Sequence, residues 1–128
     1  MDLFSIVYVA TPEEARAMAE AGADAIIAHV GTTVGGSIGV RAATCTMDDA
    51  VSRTQEVIDG ARAVRNDIFY LCHGGPIATP DDAREVCLRT DCVGFVGASS
   101  LERLGVEGPL TELTRQFKKI DYRNRKNG

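Results

Sequence analysis

An excess of basic charge is the first thing missing. Acidic residues outnumber basic ones 18 to 14 and the net charge is −4, which removes the electrostatic footprint of a nucleic-acid binder. No apolar run approaches the roughly 20 residues of a membrane-spanning helix. The start, Met1-Asp2-Leu3-Phe4-Ser5, lacks the basic segment of a secretory signal, so cytoplasm is the default expectation. The four cysteines, Cys45, Cys72, Cys87 and Cys92, form no Cys-x-x-Cys pair. Buried free thiols are expected, not a disulfide framework. Tryptophan is absent and aromatics are 5% of the chain. Alanine and glycine are plentiful instead, which suits closely packed helices and strands.

What is present is enough for one domain: 128 residues, 45% of them hydrophobic. The expected division is a domain over 1–120 and a basic tail over 121–128 that reads as a frayed, solvated terminus. Leu3–Val9 reads as a buried strand, and Thr11-Pro12-Glu13-Glu14 as a capped helix start ending near Gly22. Ala25–Val30 is a second strand, followed by a glycine-rich loop through Gly35, Gly36 and Ser37. Apolar residues at helical spacing predict a helix from Met47 to Val64, with Thr54 on its inward face. Ile68–Cys72 is the third strand, Thr79 caps the next helix, and Cys92–Val96 is the fourth strand. Ser99 is expected to cap a single-turn helix reaching Glu102. Pro109 is expected to open a last helix with the stripe Leu110, Leu113, Phe117 and Ile120.

An internal repeat organises these pieces. Val9-Ala10-Thr11-Pro12-Glu13-Glu14-Ala15-Arg16 matches Ile77-Ala78-Thr79-Pro80-Asp81-Asp82-Ala83-Arg84, and at the same offset Ile27–Gly31 falls on Phe95–Ser99. The repeated unit is strand–helix–strand. Units in series predict an α/β fold with a parallel sheet: the (β/α)4 half of a TIM barrel, a fragment of a longer chain, or a small open sheet. A whole barrel takes about 250 residues. Half of one leaves two strand edges and an apolar inner face uncovered, so a second chain or a missing segment is expected to complete it.

Ligands of parallel α/β folds bind beyond the carboxyl ends of the strands. That rim collects both histidines, His29 and His73, with Gly35, Gly36, Ser37, Gly74, Gly75, Gly97, Ala98, Ser99 and Ser100. The glycine turns and the short helix after Gly97 are candidates for holding a phosphate or carboxylate; the bland alternative is that they only make tight turns. The two imidazoles are the candidate acid–base groups, against the plainer role of bonding backbone at a strand end. A serine nucleophile at Ser99 or Ser100 is disfavoured, since no Gly-x-Ser-x-Gly elbow exists. Glu102 reads as a cap, Arg103 and Glu107 as surface or salt-bridge residues, and Arg41 as a solvated cation within reach of an anionic substrate. A metal held by His29, His73 and a carboxylate is an alternative, but no zinc-type ligand spacing occurs and no metal ligands are assigned.

Three stretches carry a resemblance: His29-Val30-Gly31-Thr32-Thr33-Val34-Gly35-Gly36-Ser37-Ile38-Gly39, Cys72-His73-Gly74-Gly75-Pro76-Ile77-Ala78, and Gly94-Phe95-Val96-Gly97-Ala98-Ser99-Ser100-Leu101-Glu102-Arg103-Leu104. The chain resembles the phosphoenolpyruvate hydrolase-like TIM-barrel family, which also forms the C-terminal domain of Tm-1-like proteins. The match is to the C-terminal half of that barrel. The resemblance implies a relation to phosphoenolpyruvate mutases and isocitrate lyases. It implies a small phosphorylated or carboxylate substrate, with lyase, hydrolase or mutase-type chemistry on a C–C, C–P or P–O bond. Mg2+ is the candidate cofactor, its acids lying in the other half. The expected partners are that small anionic metabolite and a second copy or another chain supplying the missing half-barrel. The alternative is a non-catalytic half-barrel serving ligand binding, assembly or regulation.

Overall fold

The computed structural model describes residues 3–36 and 45–119. The expectations for Ser37, Arg41, Ile120 and the tail 121–128 lie outside the described residues. Four parallel strands stand in chain order: β1 (Ile6–Val9), β2 (Ala25–His29), β3 (Phe69–His73) and β4 (Gly94–Phe95). Helices α1 (Pro12–Glu20), α2 (Met47–Arg62) and α3 (Pro80–Arg89) connect them, and α4 (Ser99–Glu102) and α5 (Leu104–Lys118) follow. A parallel sheet with sequential strand order and a helix at each crossover is the half-barrel pattern.

The helix starts follow local chemistry. The Thr11, Thr46 and Thr79 hydroxyls accept from the third residue of their helices, the backbone N–H groups of Glu14, Asp49 and Asp82. The repeat extends to these bonds. Glu14 accepts from the Ala10 N–H at 2.7 Å, and Asp82 accepts from the equivalent Ala78 N–H at 3.1 Å. Asp49 and Asp82 complete reciprocal capping boxes.

Side chains alternate across the strands, so register sorts them between two faces. Val9, Ile26, Ala28, Tyr70 and Cys72 lie in one core with Ala15, Ala19, Ala50, Val57, Ile58, Ala61 and Val86 of the helices. Small residues let α1 and α2 pack closely. A Cβ on Gly60 would stand 2.5 Å from the Pro12 carbonyl oxygen. On the opposite face the rows are Ile6–Ala25–Phe69, Tyr8–Ile27–Leu71–Gly94 and His29–His73. This face is apolar and partly open: Leu3, Phe4, Ile6, Tyr8 and Phe69 are all more than half exposed.

Several element ends differ from the sequence reading. β1 begins at Ile6 and β4 is two residues long, while β3 runs on to His73. Two corrections concern the last helices. Ser99 does not cap α4: the N-cap is Ala98, with no side-chain hydrogen bond. Pro109 does not open α5, which begins at Leu104 with Pro109 inside it. Arg103 keeps near-helical backbone between α4 and α5, so the chain needs no fresh start at the proline. The stripe is helical as expected but buries nothing, and Leu110, Leu113 and Phe117 are all more than half exposed. No described helix is long and apolar enough to cross a membrane.

Candidate functional site

The end of the open face holds a cluster of rings. His29 and His73 are register partners on β2 and β3, and their ring centroids are 5.1 Å apart. The Tyr8 ring meets both edge-on, 5.9 Å from His29 and 5.2 Å from His73. His73 is buried, 9% exposed, while His29 is half-buried. The His73 Nδ1 lies 2.7 Å from the Val96 carbonyl oxygen. A carbonyl only accepts, so Nδ1 carries the proton and in the neutral ring Nε2 keeps a free lone pair. This bond ties the end of β3 to the end of β4 and fixes the ring. Both sequence-predicted histidines therefore share one site. Tyr8 was not among the sequence candidates; its place three residues before Thr11 on an apolar strand gave no signal.

The glycine turns have a defined use. Gly74 and Gly75 both take positive φ, and the Gly75 N–H donates to the Gly31 carbonyl at 2.7 Å. The Gly75 carbonyl in turn accepts from Val34, and the His73 carbonyl from Val30. A Cβ on Gly74 would fall 2.1 Å from the Gly31 oxygen. The rim turns of β2 and β3 are locked backbone to backbone, and the Gly75 N–H is already engaged. Gly97, Ala98, Ser99 and Ser100 follow β4 and are half-buried. The Ala98 carbonyl accepts from both Leu101 and Glu102 N–H groups.

The Gly35-Gly36 segment is held from the far end of the chain. Arg103 donates through Nη1 to the Gly35 carbonyl at 2.7 Å and pairs with Glu107 at 3.5 Å. The salt bridge fits expectation; the tether to Gly35 links positions too distant in sequence to be read from it. Glu102 is an exposed helix residue and caps nothing.

The donor set does not suit Mg2+, which takes oxygen ligands. Two imidazoles stand at the rim, and among the described residues no carboxylate joins them in a ligand group. One ligand group of another kind does occur: Cys72, Cys87 and Cys92 converge on the opposite side of the sheet.

A (β/α)4 sheet with a histidine pair at its carboxyl ends defines a parallel α/β protein of half-barrel type. The model of the phosphoenolpyruvate hydrolase-like family matches residues 1–120, and the chain belongs to that family. It is 46% identical over 121 residues to the tomato (Solanum lycopersicum) proteins named ToMV susceptible protein tm-1(GCR26) and ToMV resistance protein Tm-1(GCR237), covering 94% of this chain and 16% of each of those. It is 30% identical over 119 residues to a putative transcriptional regulatory protein, y4pA, of Sinorhizobium fredii, covering 93% of this chain and 19% of that protein. The chain thus spans less than a fifth of the length of these relatives. A solved structure of nitroalkane oxidase from Streptomyces ansochromogenes is 31% identical, with a TM-score of 0.48, over 75% of this chain and 27% of that one.

Proposed function

We propose that this chain supplies half the rim of a phosphoenolpyruvate hydrolase-like barrel, and that His29 and His73 move protons on a small phosphorylated or carboxylate substrate. The ring cluster of Tyr8, His29 and His73 carries this reading. Two imidazoles side by side, one with its tautomer fixed by Val96, suit the removal of a proton at one atom and its return at another. Nε2 of His73 is the accepting atom. Gly31, Gly74 and Gly75 set the position of the two rings. The anion-holding role falls to the Gly97–Ser100 turn, since the Gly75 N–H is engaged. The reaction class is lyase, hydrolase or mutase-type.

The rest of the rim comes from a further half-barrel, either a second copy or another segment. Two surfaces await it: the open sheet face at Leu3, Phe4, Ile6 and Phe69, and the α5 stripe at Leu110, Leu113 and Phe117. The free thiols fit a cytoplasmic setting.

A second reading is a non-catalytic module that binds a ligand or a partner chain. It draws on the observation that, among the described residues, no carboxylate joins the histidines in a ligand group.

The test uses the two histidines as their own probes. Phosphoenolpyruvate is titrated into the chain, with and without Mg2+, while the imidazole C–H resonances are followed. Saturable shifts of both rings, lost in Ser99→Pro, support the site; two unmoved rings reject it. Turnover abolished by His29→Ala and by His73→Ala separates the enzyme from the binding module, for which shifts occur without turnover.

A further inference from the structure

Cys72, Cys87 and Cys92 come from three places in the fold: β3, the last turn of α3, and the turn leading into β4. Their sulfurs all lie within 4.8 Å of one another, and those of Cys87 and Cys92 are 4.0 Å apart. None is in a disulfide. Cys72 and Cys92 are buried and Cys87 is half-buried, on the helix-covered side of the sheet and away from the histidine pair. A cation bound by three thiolates at about 2.3 Å needs sulfurs about 4 Å apart. The Cys87–Cys92 pair already has that spacing, and the third sulfur requires a shift of less than about 1 Å to reach it.

We propose that Cys72, Cys87 and Cys92 form a three-thiolate site for a soft, thiophilic cation, with Cu(I) as the ion that fits. Zinc asks for four donors, and among the described residues no further His, Cys, Asp or Glu joins this group. Thiolate sulfur selects Cu(I) by softness. The helix end at Cys87 carries partial negative charge, which favours a cation there. The thiol protons leave to solvent as the ion binds, and affinity therefore weakens as pH is lowered. Half-buried Cys87 is the point of entry.

The test is an anaerobic titration of the whole chain with Cu(I) in competition with bicinchoninate. One Cu(I) per chain is expected, with the same affinity in Cys45→Ser. Cys87→Ser should bind more weakly by more than about 100-fold, the upper end of what losing an outer-shell partner costs a metal site. Equal affinity in Cys45→Ser and Cys87→Ser overturns the site. A measurement on the unmutated chain guards against misfolding of the variant. Alkylation of Cys87 by iodoacetamide, mapped by mass spectrometry, should slow at least about tenfold when one equivalent of Cu(I) is present. An unchanged alkylation rate also overturns it.

Discussion

The two faces of the sheet are built from the same strands and meet opposite fates. Ile26 and Ala28 alternate with Ile27 and His29 along β2; the first set is sealed under helices, while the second, with Ile27 itself buried, lies on a face that is open at Ile6, Tyr8 and Phe69. On the covered face the sequence is finished: apolar side chains meet helices with small residues, and burial is close to complete. The open face carries exposed aromatic and aliphatic side chains at its base and the histidine pair at its end. A surface of that composition is costly in water unless something covers it. The comparison teaches that burial is concentrated on one face while the histidine pair stands at the end of the other.

The largest expected effect separates the faces directly. Ile26→Ala, fully buried, should lower unfolding free energy by about 3 kcal/mol, through lost transfer energy and the cavity left behind. Ile6→Ala on the open face should cost less than about 0.5 kcal/mol in the isolated chain. Urea titration of both reads the difference; similar costs would mean that the open face is covered by another copy.

A second contrast sets the packed helices against α5, which has no buried residue among those described. Gly60→Ala should cost about 2 kcal/mol, because its Cβ would strike the backbone of Pro12 and force α1 and α2 apart. Gly105→Ala in α5 meets nothing within 4 Å and should stabilise by about 0.5 to 1 kcal/mol through helix propensity alone. Thermal unfolding of the pair tests this, and a destabilising Gly105→Ala would show that α5 is packed in solution.

Within the covered core, Thr54 is fully buried and its hydroxyl has no partner among the described residues. Thr54→Val should raise stability by up to about 1 kcal/mol, since it removes an unpaired polar atom at nearly constant volume. A loss of stability on urea titration would show that the hydroxyl is bonded.

The smallest effect concerns the ends of the strands opposite the rim. The Asp24 carboxylate accepts from the Ser5 N–H at 2.7 Å and the Ser5 hydroxyl at 2.8 Å, and these bonds hold it below its ordinary value of 3.8. A carboxyl lowered on folding stabilises above its unfolded value and loses that contribution as pH falls through the folded one. Asp24→Asn should therefore flatten the acid limb of the stability profile below pH 3.8, as read from urea midpoints over that range.

Much of the fold was legible because its signals are local. Thr11, Thr46 and Thr79 cap helices through bonds spanning three residues, and β2 and α2 carry unambiguous periodicity. The placing of His29 and His73 at strand ends was legible, while their pairing across β2 and β3 came from register. The Pro109 signal misled because it describes a preference for the first helical turn, while the conformation of Arg103 had already committed the chain to helix. Tyr8, the Arg103–Gly35 tether and the cysteine group were not legible. Each depends on which strands are neighbours and which way a side chain points, and spacing rules for metal ligands assume a local loop.

By itself the sequence determined the elements, the repeat, the family and the rim that gathers the histidines, because capping, hydrophobic period and glycine conformation act over a few residues. The tertiary structure alone decided that the Gly74-Gly75 turn is locked onto Gly31, that Tyr8 closes the ring cluster, and that three cysteines meet behind the sheet. Those outcomes require strand register and helix packing, which bring distant residues within ångströms and appear only when the whole chain has folded.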